Sequence, residues 1–368
     1  MNVAVLGAGG TIAPAIIRDL AESDEVTVLH LLDLDGERAA AVATAHGGDK
    51  ASAGGLDARD AEKLAAALAD DHVLVNSASY RTNLDAMRAC LAAGCHYLDL
   101  GGLYHVTAKQ LELGGEFKRA DLVAILGIGS SPGKTNLMAR AAVDRLGASV
   151  ERLDIAASGR DPDPPPGFSV PYALRTILDE LTMPPTAIRG GEPVELEPLA
   201  PGGTIDFGEP IGEAETIHTL HSEMLTFPAS FGCSEASFRL ALAPGVVDRV
   251  RELADASEEE VEAAAREASP PSARTVAVHL VEAVGAERAV KVRAITEPAS
   301  DWGLGGGIVS TGAPAAAAVR LLARGEIAAR GALPPERCVE PEAIFSELER
   351  RWSRFEVTER EAEEVTRA

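Results

Sequence analysis

The sequence predicts an α/β protein in which a doubly wound parallel Rossmann sheet is joined to a second α+β domain with a mainly antiparallel sheet. Three observations predict this. A short apolar strand, Val3 to Leu6, runs straight into the glycine turn Gly7-Ala8-Gly9-Gly10. Strand-like and helix-like segments of ordinary length then alternate as far as residue 127, the signature of parallel strands with crossover helices. Beyond Gly127 the texture changes to longer strand-like runs separated by Pro- and Asp-rich loops such as Arg160 to Gly167.

Taken in order, Gly7 permits a tight turn out of the first strand, and Gly9 lets the backbone approach a pyrophosphate with no Cβ in the way. The helix from Ala13 to Leu20 turns its positive N-terminus toward the phosphates. Gly10, Thr11 and Ile12 complete that turn. Ile12 stands where the third glycine of GxGxxG would fall, so the helix must pack differently on the strand. Glu25 to Leu32 reads as the second strand and delivers Asp33, with Asp35 and Glu37 close behind, where a carboxylate accepts ribose hydroxyls. The combination predicts a dinucleotide cofactor. Asp33 favours NAD because it would repel a 2′-phosphate; Arg38 leaves NADP possible.

A short third segment, Ala51 to Leu56, leads to Asp57, a further cofactor candidate, and Asp60 caps a helix over 61–69. Val73 to Val75 is a buried strand whose following loop offers Ser77 and Ala78 to the cofactor and Tyr80 to a substrate. Asn83 to Ala93 is a helix closed by Gly94, and His96 to Leu100 and Ala120 to Leu126 are strands. Ligands belong at the carboxyl ends of such strands. Asp99 occupies one of those ends, with Tyr104 and His105 just beyond, so Asp99 and Tyr104 are candidates for proton transfer. A carboxylate that caps the glycine turn is an equally physical reading of Asp99.

In the second part, Pro132-Gly133 starts a helix over Lys134 to Leu146, and Val150 to Ser158 is a strand. Further strands are expected at Arg189 to Leu199, Glu215 to Leu220, Ala236 to Leu242, Thr275 to Ala283 and Ala289 to Glu297, the last two forming a hairpin near Gly285. Ser257 and Glu260 stand in capping-box spacing ahead of a helix that ends at Ala268. A helix from Pro314 to Ala323 returns to the first domain. The expected division is residues 1–127, completed by 310–351, and residues 128–309 for substrate binding and dimerisation.

Composition narrows the function. The 57 acids outnumber 34 bases, only six of them lysines, for a net charge of −23, and such a surface repels nucleic acid. No apolar run is expected to reach membrane-spanning length, and Met1 leads directly into a strand, so the expectation is a cytoplasmic protein with no membrane partner. The four cysteines, Cys90, Cys95, Cys233 and Cys338, show no metal spacing. Gly133-Lys134-Thr135 is not a P-loop, because Ile128 stands where its first glycine is required. His218 and His221 are three apart, which on a strand places them on opposite faces, so no metal site is expected.

Five runs carry a family resemblance: Gly7-Ala8-Gly9-Gly10, His96 to Gly102, Gly129-Ser130-Ser131-Pro132-Gly133-Lys134-Thr135-Asn136, Ser310 to Pro314, and Gly331 to Glu336. In this order, over nearly the whole chain, they resemble the saccharopine dehydrogenase superfamily, including lysine 6-dehydrogenases. The resemblance implies a nicotinamide-dependent oxidoreductase acting on a C–N bond of an amino acid, and a homodimer formed through the inserted domain. Saccharopine reductases typically carry an acid before the Pro-Gly, where this chain has Ser131, which argues against saccharopine as substrate.

The remaining candidates follow from that chemistry. The amides of Ser131 to Thr135, with Lys134 or an arginine, suit a substrate carboxylate, and Ser131, Lys134, Thr135 and Asn136 are substrate-binding candidates. Lys134 reads equally as a solvated residue at a helix start. His221 is a candidate catalytic group. Phe168 to Tyr172, with Asp179 and Glu180, form a further segment open to substrate, and Glu180 suits an ammonium, against an ordinary exposed helix acid. Two alternatives stay open: the reverse reaction, in which an amine condenses with a keto acid or semialdehyde and the imine is reduced, and a non-catalytic dinucleotide sensor.

Overall fold

The computed structural model describes residues 1–361. The described residues divide into two compact units, one made of residues 1–134 and 311–348, the other of 135–310 and 349–361.

In the first unit, Asn2–Leu6 (β1), Val28–Asp33 (β2), Ala51–Gly55 (β3), Val73–Asn76 (β4), His96–Asp99 (β5) and Val123–Ile125 (β6) form a parallel sheet with Gly331–Leu333. The order across it is β3, β2, β1, β4, β5, β6, Gly331–Leu333. The chain reverses direction of winding between β1 and β4, which is the switch point where such sheets bind dinucleotides. β1 and β4 are almost wholly buried, as expected of central parallel strands covered on both faces.

The helix Ala13–Ala21 (α1) buries Ile16, Ile17 and Leu20. The close packing that a third glycine would have allowed is met from another side. Gly312 lies so near α1 that a Cβ there would stand 2.7 Å from the Ala15 methyl. Arg320, on the same helix as Gly312, is buried between Asp19 at 2.7 Å and Glu347 at 2.6 Å, tying residues 311–348 to α1. Removing one member of such a buried network would strand the others, a cost on the order of 3 kcal/mol.

The second unit carries a mixed sheet. Its main path runs Pro201–Asp206, Glu213–His218, Glu235–Leu240, Arg152–Arg160, Val276–Val284, Arg288–Thr296, Ser353–Glu361. All neighbours are antiparallel except Glu235–Leu240 with Arg152–Arg160, which are parallel. The expected single strand from 189 to 199 is instead a hairpin, Thr186–Arg189 with Glu192–Glu195, because Gly190 and Gly191 both take positive φ and turn the chain. Leu174, Ile177, Leu178 and Leu181 recur at helical spacing on Leu174–Thr182 and pack with Val246, Val250 and Val261. The capping box of Ser257 and Glu260 is formed.

The helix containing Pro314 is longer than expected. It spans Gly306–Ala323 and starts inside the glycine-rich run Gly303 to Gly307, where Gly306 N–H donates to Thr275 C=O and a Cβ would stand 2.3 Å from Thr296 C=O. It is long and apolar enough to cross a membrane by length and composition, which corrects the expectation that no such run exists. Most of it is buried within the protein.

Candidate functional site

In the first unit the glycine turn is built for close approach. Gly7 has φ +76°, and a Cβ on it would lie 2.5 Å from the Ala78 amide nitrogen. Its N–H and that of Ala8 both donate to Leu32 C=O, which seats the turn across the ends of β1 and β2. Ser77 and Ala78 therefore lie against the turn. The Ser77 hydroxyl is buried without a hydrogen-bond partner among the described residues. Gly10 N–H closes the turn onto Gly7 C=O at 2.9 Å. Thr11 is exposed, Ile12 is buried, and no side chain caps α1.

Asp33 is placed where expected. One carboxylate oxygen accepts from Gly9 N–H at 2.8 Å and the other from Asp35 N–H at 2.9 Å. Arg38 reaches the same turn and donates to Gly9 C=O at 2.7 Å. A Cβ on Gly9 would meet the Arg38 Cβ at 2.9 Å. The cradle thus has the shape a pyrophosphate needs, with an acid and a base side by side at its ribose end. Asp57 is engaged locally instead, since Arg59 grips it at 2.7 Å and holds its carboxyl down to about 2.

Asp99 serves the scaffold, which corrects its assignment to proton transfer. One oxygen accepts from Gly127 N–H at 2.7 Å and Gly101 N–H at 3.0 Å, the other from Gln110 at 2.6 Å and Asn83 at 3.1 Å. Four donors occupy its lone-pair sites, so it pins the turns after β5 and β6 and has no capacity left for a substrate. Burial raises its pKa despite those donors. Tyr104 is half-buried with its ring edge-on to His105 at 5.4 Å, and Tyr80 is half-buried beneath the Arg81 guanidinium. Neither is joined to Asp99 by a described hydrogen bond.

The run Gly129 to Asn136 folds as a tight turn into the helix Lys134–Leu146. Gly129 N–H donates to Pro132 C=O and Lys134 N–H to Gly129 C=O, both at 2.9 Å. Gly133 takes φ +126°, and a Cβ there would lie 2.3 Å from Gly129 C=O. Part of the amide set expected to hold a carboxylate is therefore spent inside the turn. The Ser131 hydroxyl is buried and unpartnered among the described residues. Lys134 is fully buried, which overturns its reading as a solvated helix-start residue, and burial lowers its pKa to about 7.

In the second unit the structure gathers a polar cluster that the sequence showed only in pieces. The Thr135 hydroxyl donates to Glu223 Oε1 at 2.9 Å. His221 Nδ1 faces Glu223 Oε2 at 3.5 Å, an ion-pair distance, and its ring stacks on Phe238 at 3.5 Å. The Tyr172 hydroxyl donates to Glu180. His221, Glu223 and Glu180 are all buried, so Glu180 is no exposed helix acid. Burial works against protonation of His221, but Glu223 and then Glu180 outweigh it, and its pKa ends above the ordinary histidine value. Burial raises Glu180, partly offset by His221 and Tyr172. Asn136 is also buried.

Sequence reasoning missed Glu223 and Phe238. A signal for Glu223 was present, since Thr219, His221, Glu223 and Thr226 are interleaved with Leu220, Met224, Leu225 and Phe227. Phe238 lies on a distant strand, and nothing local reveals that its ring faces His221. His218 ends its strand opposite Arg239, whereas His221 lies in the loop beyond, so the two histidines serve different surroundings.

Fold and cradle define the first unit as a nicotinamide-dinucleotide-binding domain. Residues 3–125 match the family model of the saccharopine dehydrogenase NADP binding domain, and the cofactor of this unit is NAD(P). Over the full fold, the chain is similar to the L-Glu-forming saccharopine dehydrogenase of Saccharomyces cerevisiae, with a TM-score of 0.69, 17% identity, and coverage of 97% of this chain and 99% of that one. It is also 25% identical over 232 residues to a carboxyaminopropylagmatine dehydrogenase of Synechocystis, a match that takes in 61% of this chain and 57% of the length of that relative.

Proposed function

We propose that the protein is an NAD(P)-dependent oxidoreductase acting on a C–N bond of an amino-acid-like substrate. The observation that carries this reading is His221. It is a buried imidazole with one nitrogen engaged by Glu223 and the other unpartnered among the described residues, in a chain whose first unit is a nicotinamide domain. When bound, the dinucleotide supplies a hydride acceptor or donor. Oxidation of a CH–NH unit also requires a proton to leave nitrogen, and hydrolysis of the resulting imine requires a proton to leave attacking water. His221 meets that need: Glu223 fixes its orientation at Nδ1, and Nε2 is left to exchange the proton. The activities of the two relatives, a saccharopine dehydrogenase and a carboxyaminopropylagmatine dehydrogenase, support an amino-acid-like substrate. The geometry serves the reverse reaction, imine reduction, equally well.

The test is to incubate the protein with NAD or NADP and a panel of lysine, ornithine, simple alcohols and hydroxy acids at alkaline pH, following reduced-cofactor absorbance. Amines should be oxidised. His221→Gln should lower kcat by about 10²-fold or more, the scale of lost acid–base catalysis, while cofactor affinity stays within a few-fold. Turnover of alcohols or hydroxy acids without amines would overturn the C–N chemistry. Cofactor binding with no turnover on either class would favour a sensor.

A further inference from the structure

A carboxylate can hold an imidazole in one orientation only if the carboxylate is itself held. Glu223 opens the helix Glu223–Phe231 and is wholly buried, with its Oε2 toward His221 Nδ1 at 3.5 Å. The last torsion of a glutamate is broad and two-fold, so burial of the stem alone leaves the two oxygens free to rock. The stack on Phe238, with 16° between the ring planes, fixes the plane of the imidazole but not its direction within that plane. The remaining freedom is removed from a separate helix. Thr135, wholly buried in the first turn of Lys134–Leu146, donates its hydroxyl to Glu223 Oε1 at 2.9 Å.

We propose that Thr135 is a positioning residue for proton transfer at His221, acting through Glu223. The inference rests on the role given to His221 above and extends it by one residue. Thr135 suits the task, because a β-branched side chain in a helix has few rotamers and a hydroxyl that faces an ionised carboxylate can only donate. When Nε2 takes a proton from the substrate nitrogen or from attacking water, the proton on Nδ1 stays where it is and the ring becomes an imidazolium. Glu223 Oε2 meets the charge that appears, and Thr135 keeps that oxygen aimed at Nδ1 by holding the other. The second carboxylate acting on His221 is Glu180, from the helix Leu174–Thr182, whose backbone C=O accepts from Leu220 N–H at 3.1 Å. Glu180 has its own hydroxyl donor in Tyr172 and feels the neighbouring charge of Asp179. Burial alone would push His221 below the ordinary histidine value, and Glu223 with Glu180 brings it above. How tightly His221 binds its proton therefore reports how well Glu223 is placed.

An NMR titration of the histidine rings in the full-length protein reads this without substrate, with His221 identified as the signal missing from His221→Gln. Thr135→Val keeps the shape and removes the donor, and His221 should then bind its proton about fivefold or more less tightly. Thr135→Ser restores the hydroxyl and should bring the proton affinity back to within about twofold of the unaltered protein. In amine oxidation Thr135→Val should lower kcat by about tenfold, less than His221→Gln, with KM for amine and cofactor within a few-fold and the acid limb of the kcat profile moved to lower pH. An unchanged or tighter proton affinity in Thr135→Val would overturn the positioning role, as would a Thr135→Ser protein that titrates like Thr135→Val. If Thr135→Val does not fold, the unaltered protein answers instead. The Thr135 hydroxyl proton, held on a buried carboxylate, should give a slowly exchanging proton signal that moves as His221 titrates, and its absence would count equally against the proposal. A titration that depends on Thr135 with no oxidation of any amine would sustain the positioning role while removing the C–N reading, and amine oxidation with a titration indifferent to Thr135 would do the opposite.

Discussion

Lys134 shows how much a single burial can change. Its place in the run Gly133-Lys134-Thr135 fits a solvated helix start as well as a functional amine, and the structure puts it wholly out of water with a pKa of about 7. Because the folded state holds its proton less tightly than the unfolded chain, Lys134 lowers stability by its full amount below about pH 7. That penalty shrinks as pH rises toward the unfolded value near 10.5. Lys134→Met, which keeps the length and loses the charge, should therefore raise stability more at about pH 6 than at about pH 9, by on the order of 2 kcal/mol. Denaturant unfolding at the two pH values reads the difference, and an equal effect at both would show that the amine stays charged in the folded protein. Asp99 makes the complementary point. Its position at a strand end was legible, and capping of the glycine turn was one of its two readings, but the choice between them was not, because the other donors that consume it come from distant places in the sequence: Asn83, Gln110 and Gly127 beside the local Gly101.

At the scale of elements, the glycine turn, α1 and β2 were readable because their signals are local: a glycine needed at φ +76°, apolar residues at helical spacing, and an acid at a strand end. The hairpin at Gly190-Gly191, the early start at Gly306 and the parallel pairing of Glu235–Leu240 with Arg152–Arg160 were not. Each depends on which distant strand lies alongside, and propensity carries no such information. The β2 end also decides how cofactor choice is to be probed. Asp33 binds Gly9 N–H, the site that a ribose would approach, while Asp35 caps the next helix and brings Arg38 onto Gly9 C=O. With the carboxylate at the turn itself, NAD should bind more tightly than NADP. Asp33→Ser should shift the ratio of the two affinities toward NADP by about tenfold or more, equivalent to about 1.4 kcal/mol, with Arg38 free to meet the 2′-phosphate. Fluorescence titration with both cofactors reads this, and tighter NADP binding by the unaltered protein would place Arg38, not Asp33, in control.

At the scale of the whole molecule, the charge of −23 and the open strands of the second sheet pull in opposite directions. Like charge favours separation, whereas the sheet ends in strands that lack a neighbour on one side among the described residues, Pro201–Asp206 and Ser353–Glu361. Unpaired strand edges invite a partner unless blunted. The described residues expose few large apolar side chains, and two of the three, Val194 and Val357, lie on strands of this unit. Ser353–Glu361 carries Arg354, Glu356, Glu359, Arg360 and Glu361 around Val357. A second copy lying antiparallel along this edge would bring Val357 against Val357 across a two-fold axis, a self-complementary contact of the kind closed dimers use. We therefore expect a homodimer formed through the second unit, held by the strand edge and its apolar contact against the like charge of the two chains. Light scattering at micromolar concentration should give twice the chain mass, and Val357→Asp should shift it toward the monomer. High salt should strengthen the dimer, because it screens the repulsion between two chains that each carry a charge of −23. A monomeric mass for the unaltered protein would remove this assembly, and a dimer indifferent to both Val357→Asp and salt would move the interface away from this edge.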